Sequence, residues 1–206
     1  MRLTATTFLT LDGVMQAPGG PEEDSSGGFA LGGWSFPYAD EDFGRIVTAW
    51  FERADAFLLG RKTYEIFAAF WPQVTEEADP VASRLNVLPK YVASRTLETV
   101  SWQGAQLLRG DVADEVARLK EQPGRELQVH GSGDLLQTLM AHDLVDEYRL
   151  FVYPVVLGSG RRVFREGAAP RSLAFVDATT TSTGVVVATY RRGGPIVTGS
   201  FTVDDP

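Results

Sequence analysis

The first apolar stretch, residues 3–11, is rich in threonine and has the composition of a buried strand. Residues 12–39 break that pattern with many Gly, Pro and Ser, including Gly-Gly pairs at 27–28 and 32–33. A loop of this length inside a compact fold usually carries function. Asp40 opens a predicted helix in which Phe43, Ile46, Val47, Trp50 and Phe51 recur at i, i+3, i+4, i+7 and i+8, forming one apolar stripe. Residues 55–60, Asp-Ala-Phe-Leu-Leu-Gly, read as a buried strand entering a turn, and a short helix follows through Phe70 until Pro72 stops it. The spacing then predicts a strand at 90–94 and a helix capped by Asp111 that buries Val112, Val116 and Leu119. A strand at 127–130 leads into Gly131-Ser132-Gly133 and a helix burying Leu135, Leu136, Leu139 and Met140.

From residue 145 the rhythm changes. Strands are predicted at 147–156, 172–178 and 184–191, the last two joined by a Thr-Ser-Thr-Gly turn. Strand–helix alternation followed by hairpins predicts an α/β fold: a mostly parallel sheet, antiparallel strands at its C-terminal edge, and flanking helices. With no repeat or linker to divide it, residues 1–206 are expected to form a single domain, with 193–206 as an extra edge strand or a loose tail.

Composition narrows the chemistry. The 206 residues carry 19 basic and 27 acidic side chains, a net charge of −8, which argues against nucleic acid or an anionic membrane as a partner. Without cysteine there is no disulfide, thiolate nucleophile or cysteine metal site, and two histidines, His130 and His142, do not make a metal centre. The N-terminus reads as a strand rather than a signal peptide, and no apolar run approaches the ~18 residues of a membrane span. A cytoplasmic location is the expectation.

Three strand ends suit an anion. In open α/β sheets ligands gather at the carboxyl ends of strands. Gly60-Arg61-Lys62-Thr63 combines a permissive glycine, two cations and a hydroxyl at a helix N-terminus; its plainer alternative is a capped helix with solvated cations. Ser94-Arg95-Thr96 offers hydroxyls and a guanidinium, or simply a surface loop. His130-Gly131-Ser132-Gly133-Asp134-Leu135 has the G-x-G of a phosphate cradle but lacks a third glycine, because Leu136 stands there. Asp134 should turn away from an anion, and His130 would meet either the ligand or backbone groups. One anionic nucleotide lying across the sheet edge would explain all three ends, and the cations favour the 2′-phosphate of NADPH.

These residues resemble a known family. Gly60-Arg61-Lys62-Thr63-Tyr64-Glu65 is similar to the G-R-x-T-[WY]-E segment of dihydrofolate reductases. Leu11-Asp12-Gly13, Gly131-Ser132-Gly133, Leu144-Val145-Asp146-Glu147-Tyr148, Pro154-Val155-Val156-Leu157-Gly158-Ser159-Gly160 and Phe164 resemble the C-terminal reductase domain of the bifunctional riboflavin enzyme, RibD, and still more its stand-alone bacterial relatives. The resemblance spans roughly residues 2–192. It implies a dihydrofolate-reductase-like three-layer fold with an eight-stranded sheet, NADPH as cofactor, and a homodimer, for which Phe151-Val152-Tyr153 and Val185-Val186-Val187 offer edges to cover. It places the 2′-phosphate and adenine near Arg61, Lys62, Ser94, Arg95 and Thr96. The pyrophosphate would lie near Thr63 and Gly131–Leu135, with His130 adjoining, and the nicotinamide near Asp12, Gly13, Val14 and Met15. Trp34, Phe36, Phe67 and Trp71 would line a substrate pocket for a flat ring.

The chain departs from dihydrofolate reductase where folate is recognised. Alignment on Trp50-Phe51 puts Val47 where that enzyme has its buried carboxylate, alignment on Trp34 puts Ala39 there, and its folate-clamping arginine has no match, Val74 standing near the expected position. The remaining candidates for a proton donor are Asp12, otherwise a turn residue, and Asp40, otherwise a helix cap. The leading expectation is an NADPH-dependent oxidoreductase acting on a small aromatic or heterocyclic compound other than dihydrofolate. The alternatives are a reductase of the phosphoribosylamino-pyrimidine of riboflavin synthesis and a non-catalytic nucleotide-binding module.

Overall fold

The computed structural model describes residues 1–74 and 79–201. One eight-stranded sheet runs through it in the order β4-β3-β2-β5-β1-β6-β8-β7. The strands are β1 (Arg2–Thr10), β2 (Ala54–Gly60), β3 (Lys90–Ala93), β4 (Ala105–Leu107), β5 (Glu126–His130), β6 (Glu147–Tyr153), β7 (Leu173–Thr180) and β8 (Val186–Arg192). The pairs from β4 to β6 are parallel, and β8 and β7 are added antiparallel. The expected architecture is therefore present, including its antiparallel edge. Helices α1 (Glu41–Phe51), α2 (Arg61–Phe70), α3 (Pro80–Val87), α4 (Val112–Glu121) and α5 (Gly133–Ala141) cover its faces.

Two elements are additional to those read from the pattern. Helix α3 begins at an Asp79 N-cap, whose carboxylate accepts from Val81 and Ala82 N–H, with Pro80 at the first helical position. Asp-Pro is a start signal, but the helix is eight residues long and shows only a short apolar stripe. Strand β4 has three residues and no period to read. Residues 193–201 form no strand, and 202–206 lie outside the described residues. The stretches Phe151–Tyr153 and Val185–Val187 are no edges either: β6 is enclosed by β1 and β8, β8 by β6 and β7, and the sheet ends at β4 and β7.

The period of two divides the central strands sharply. Leu3 and Ala5 of β1, Leu127 and Val129 of β5, and Tyr148 and Leu150 of β6 join the core with Val116, Leu119, Leu135, Leu136 and Leu139 from α4 and α5. The opposite face, beneath α1, is polar in its first half. There Glu126 and Gln128 of β5, Thr4 of β1, and Glu147 and Arg149 of β6 are all buried. The Arg149 guanidinium donates to Glu126 at 2.8 and 3.0 Å and to Glu147 at 2.9 Å, and lies 5.1 Å from the Trp50 ring centroid. Burial alone would push the Glu126 carboxyl up, but hydrogen bonds and charge from Arg149 outweigh it and hold the group below its ordinary value. Further along the same face Phe151 and Tyr153 meet Ile46, Val14 and Trp34 in an apolar cluster.

Removing one member of a buried ion cluster leaves the others uncompensated, at a cost of about 3–5 kcal/mol. Arg149→Leu is expected to lose stability of that order in urea unfolding, whereas Arg45→Leu, which breaks an exposed pair with Asp42, should change it by less than about 1 kcal/mol.

Candidate functional site

A cleft of about 1290 Å³ opens at the carboxyl ends of β1, β2, β3 and β5. Two strand-to-helix turns frame it and are sewn together. Gly60 N–H donates to Ser132 Oγ at 3.0 Å, Ser132 N–H donates to Thr63 Oγ1 at 3.2 Å, and the two hydroxyls lie 3.0 Å apart. A Cβ on Gly60 would stand 3.4 Å from the Ser132 Cβ, close to ordinary contact, so the two turns are packed against each other. Gly131 and Ser132 both take left-handed backbone, φ 54° and 56°. That conformation costs a non-glycine residue about 1–3 kcal/mol, and here the surrounding bonds hold it. It aims the first turn of α5 at the cleft, and the N–H groups of Gly133, Asp134 and Leu135 donate to no described residue. Asp134 itself turns outward to an ion pair with Arg165 at 2.6 Å and does not cap the helix.

The cations gather at the same mouth. Arg61, Lys62, Arg95 and Arg161 all line the cleft, as do Ser94 and Thr96. Arg61 pairs with Glu65 one turn on. Ser94 Oγ accepts from the N–H groups of Thr96 and Leu97, folding that end into a tight turn and leaving the Arg95 guanidinium unpaired among the described residues. Lys62 Nζ donates to Asp24 Oδ1 at 2.7 Å and to Ser26 Oγ at 3.1 Å, while Arg161 donates to Ser26 Oγ and lies 3.4 Å from Asp24. Burial works against the Asp24 carboxylate, but Lys62, Ser26 and Arg161 more than offset it. Neither Asp24 nor Arg161 was singled out in the sequence, because nothing local marks two residues that meet only across the cleft.

The long loop behaves differently from the expectation. Of Asp12 to Met15, Met15 reaches the cleft, whereas Val14 is in the core. Asp12 is a structural clasp: it accepts from the Thr10 hydroxyl at 2.6 Å and from Leu157 and Gly158 N–H, and pairs with Arg162. Those bonds, that from Thr10 foremost, lower its carboxyl to about 2. Asp40 caps α1 through Phe43 N–H and accepts from Ser182 and Thr183; it too is lowered to about 2, chiefly by the Phe43 bond. Neither acid lines the cleft. Trp34 is buried instead of covering a pocket, its indole N–H donating to the Gln16 carbonyl and its ring edge-on to Tyr153. Phe36 is exposed on the loop surface, away from the cleft.

Phe67 and Trp71 do line the cleft, together with Phe8, Phe43, Val47, Phe51, Ile66 and Thr48. Val47 places an apolar side chain where the resemblance leads one to look for an acid. Glu23 is the cleft carboxyl that burial pushes above its ordinary value, against hydrogen bonds from Gly19 and Gly20 N–H. On the floor, His130 stacks on Phe51 with ring centroids 4.5 Å apart, and its Nε2 lies 3.1 Å from Gln128 Oε1. Burial, with Arg149 nearby, lowers its imidazole to about 3. No three His, Asp or Glu among the described residues are placed to hold a metal ion, and no described helix is long and apolar enough to cross a membrane.

The depressed His130 sets a sign. Because the unfolded chain takes up a proton near pH 6.5 and the folded one only near pH 3, this group makes the fold progressively less stable as pH falls between those values. The His130 imidazole resonances are expected to stay flat from about pH 8 to about pH 5, and His130→Phe should lose less thermal stability than the parent protein on acidification across that range.

Comparison with known proteins establishes the family and agrees with the fold. The RibD C-terminal domain matches residues 2–187. The uncharacterized protein YyaP of Bacillus subtilis (strain 168) is 30% identical over 196 residues, 94% of this chain and 96% of that protein. A protein from Shewanella sp. PV-4 assigned provisionally to riboflavin biosynthesis superposes with a TM-score of 0.70 at 22% identity, covering 94% of this chain and all of the other. Dihydrofolate reductase from Enterococcus faecalis, solved with NADP(H), superposes with a TM-score of 0.58 at 13% identity over 94% and 97% of the two chains, a likeness of fold. On the extent of these matches, the chain belongs to the RibD C-terminal domain family.

Proposed function

We propose that this protein is an NADPH-dependent oxidoreductase that reduces a small aromatic or heterocyclic compound other than dihydrofolate. The observation that carries the reading is the convergence on one cleft of three unspent α5 amides and four cationic side chains. Free N–H groups at a helix N-terminus favour an anion, and guanidinium and ammonium groups suit the additional phosphate of NADPH. The volume exceeds what one small ligand fills and leaves room for cofactor and substrate side by side.

In this reading Arg61, Lys62, Ser94, Arg95 and Thr96 would hold the 2′-phosphate end, Thr63 with Gly131, Ser132, Gly133, Asp134 and Leu135 the pyrophosphate, and Met15 the nicotinamide end, while His130 would lie beneath. When bound, NADPH supplies the hydride; the chain contributes orientation and a dry, aromatic-walled space. Phe67 and Trp71, with Phe43 and Phe51, would grip a flat ring.

NADPH is expected to quench tryptophan fluorescence saturably. Arg95→Ala should weaken NADPH about tenfold while changing NADH much less, because one charge-assisted contact is worth about 1.5–3 kcal/mol. Absence of quenching at millimolar NADPH would sink the reading. Binding without oxidation by any carbonyl, quinone or heterocyclic acceptor would leave a nucleotide-binding module instead of an enzyme.

We also propose a homodimer. Strand β7 is exposed along almost its whole length, Phe175 and Val176 included. A bare apolar edge of this kind calls for a partner strand. Sedimentation at micromolar concentration should give twice the 22.5 kDa chain mass, and a species at the chain mass would refute it.

A further inference from the structure

The buried polar face beneath α1 continues without a break into the cleft. Gln128 is the junction. Its amide nitrogen donates to the Trp50 carbonyl at 2.7 Å and to Glu126 Oε2 at 2.8 Å. A carbonyl and a carboxylate can only accept, and Glu126 is held ionised by Arg149, so the amide orientation of Gln128 is fixed. Its Oε1 therefore faces His130 Nε2, at 3.1 Å. An amide oxygen accepts, so Nε2 must carry the proton. A neutral imidazole protonated at Nε2 has its lone pair at Nδ1.

Nδ1 has no hydrogen-bond partner among the described residues, whereas the polar side-chain atoms both unpartnered and sealed from solvent are the Thr4 and Thr6 hydroxyls. Thr6 faces His130 directly in the β1–β5 register, yet the two do not bond. His130 lines the cleft, so the cleft is the space its open nitrogen meets. The ring cannot readily swing away, being stacked on Phe51 and tilted against Phe57.

We propose that His130 is a specificity-determining residue. The Gln128–Glu126–Arg149 file fixes it as the Nε2–H tautomer, and its Nδ1 accepts a hydrogen bond from the substrate. This rests on the reductase reading of the cleft and sharpens it. The substrate is a neutral flat ring that carries an N–H or O–H donor on the edge it inserts. Quinones, which bring only acceptors, would leave Nδ1 desolvated and unpaired, and are disfavoured.

The test uses the full chain labelled with ¹⁵N at histidine, first without any ligand. Long-range ¹H–¹⁵N correlation is expected to show His130 with a protonated Nε2 and a bare Nδ1. Adding quinazoline-2,4-dione should move the Nδ1 resonance upfield. Its 1,3-dimethyl derivative, flat but lacking both ring N–H groups, should bind at least tenfold more weakly and leave Nδ1 unmoved. Gln128→Leu, which removes the acceptor from Nε2 without lining the cleft, should bring the two affinities to within about threefold. A protonated Nδ1 in the parent protein, equal binding of the two compounds, or binding of neither would overturn the proposal. Tryptophan quenching by NADPH in the same samples separates the two readings. Quenching with a failed His130 result removes only this inference, whereas loss of quenching removes the reductase reading and leaves the tautomer to be judged by the ligand-free spectrum.

Discussion

Arg149 is enclosed between Glu126 and Glu147, two carboxylates on the strands that flank β1. Strands buried on both faces are usually apolar on both, and here the α1 side of the three central strands is charged instead. One arginine between two acids leaves a net negative charge, which Arg2, Arg53 and Arg191 approach from the rim. The register of β5, β1 and β6 is thereby specified by ion pairs as well as by the apolar layer opposite. A slip of one residue would turn Glu126, Glu147 and Arg149 into the leucine-rich face under α4 and α5. The same file fixes the orientation of Gln128, and with it the imidazole at the cleft floor, so structural and functional polarity are continuous on this face.

A second constraint shapes the mouth of the cleft. The Gly60–Thr63 and Gly131–Ser132 turns spend their hydroxyls on each other. Thr63 and Ser132 thus act first as architecture, holding two helix N-termini side by side. The α5 amides remain unspent because the left-handed Ser132 carries the chain past the position from which its own side chain would cap them. A helix start left uncapped at the end of a sheet is costly unless something else satisfies it.

Much of the fold was legible because its elements are long and periodic. The α1 stripe, the Gly60 turn and the Gly131-Ser132-Gly133 turn could all be read locally, and they frame the cleft. The short pieces, α3 and β4, could not be read from period, although Asp79-Pro80 marked the start of α3. Trp34 illustrates a deeper limit. An indole in a glycine-rich loop suggests a pocket cover, but whether it turns inward depends on one distant carbonyl, that of Gln16, and on Tyr153 from β6. Asp12 and Asp40 share that limit: each acid's partners include groups more than a hundred residues away. His130 and Gln128 have alternating positions on one strand, so their contact was implicit in the period of two, but the tautomer follows only once the partners of Gln128 are known.

The clasp that Asp24 makes with Lys62 and Arg161 has a consequence for whatever anion enters. Three of the four cations at the mouth already hold a carboxylate supplied by the protein: Arg61 holds Glu65, and Lys62 and Arg161 share Asp24. An incoming anion that uses the latter pair must exchange places with Asp24, so its affinity there is a difference between two ion pairings and not the full strength of either. Such an exchange conserves charge at the cations and removes their hold on residues 24–26, which Gln16 still binds through the Asp24 and Ser26 carbonyls. Occupancy of the mouth and release of the Asp24 side chain are thus two readings of a single equilibrium.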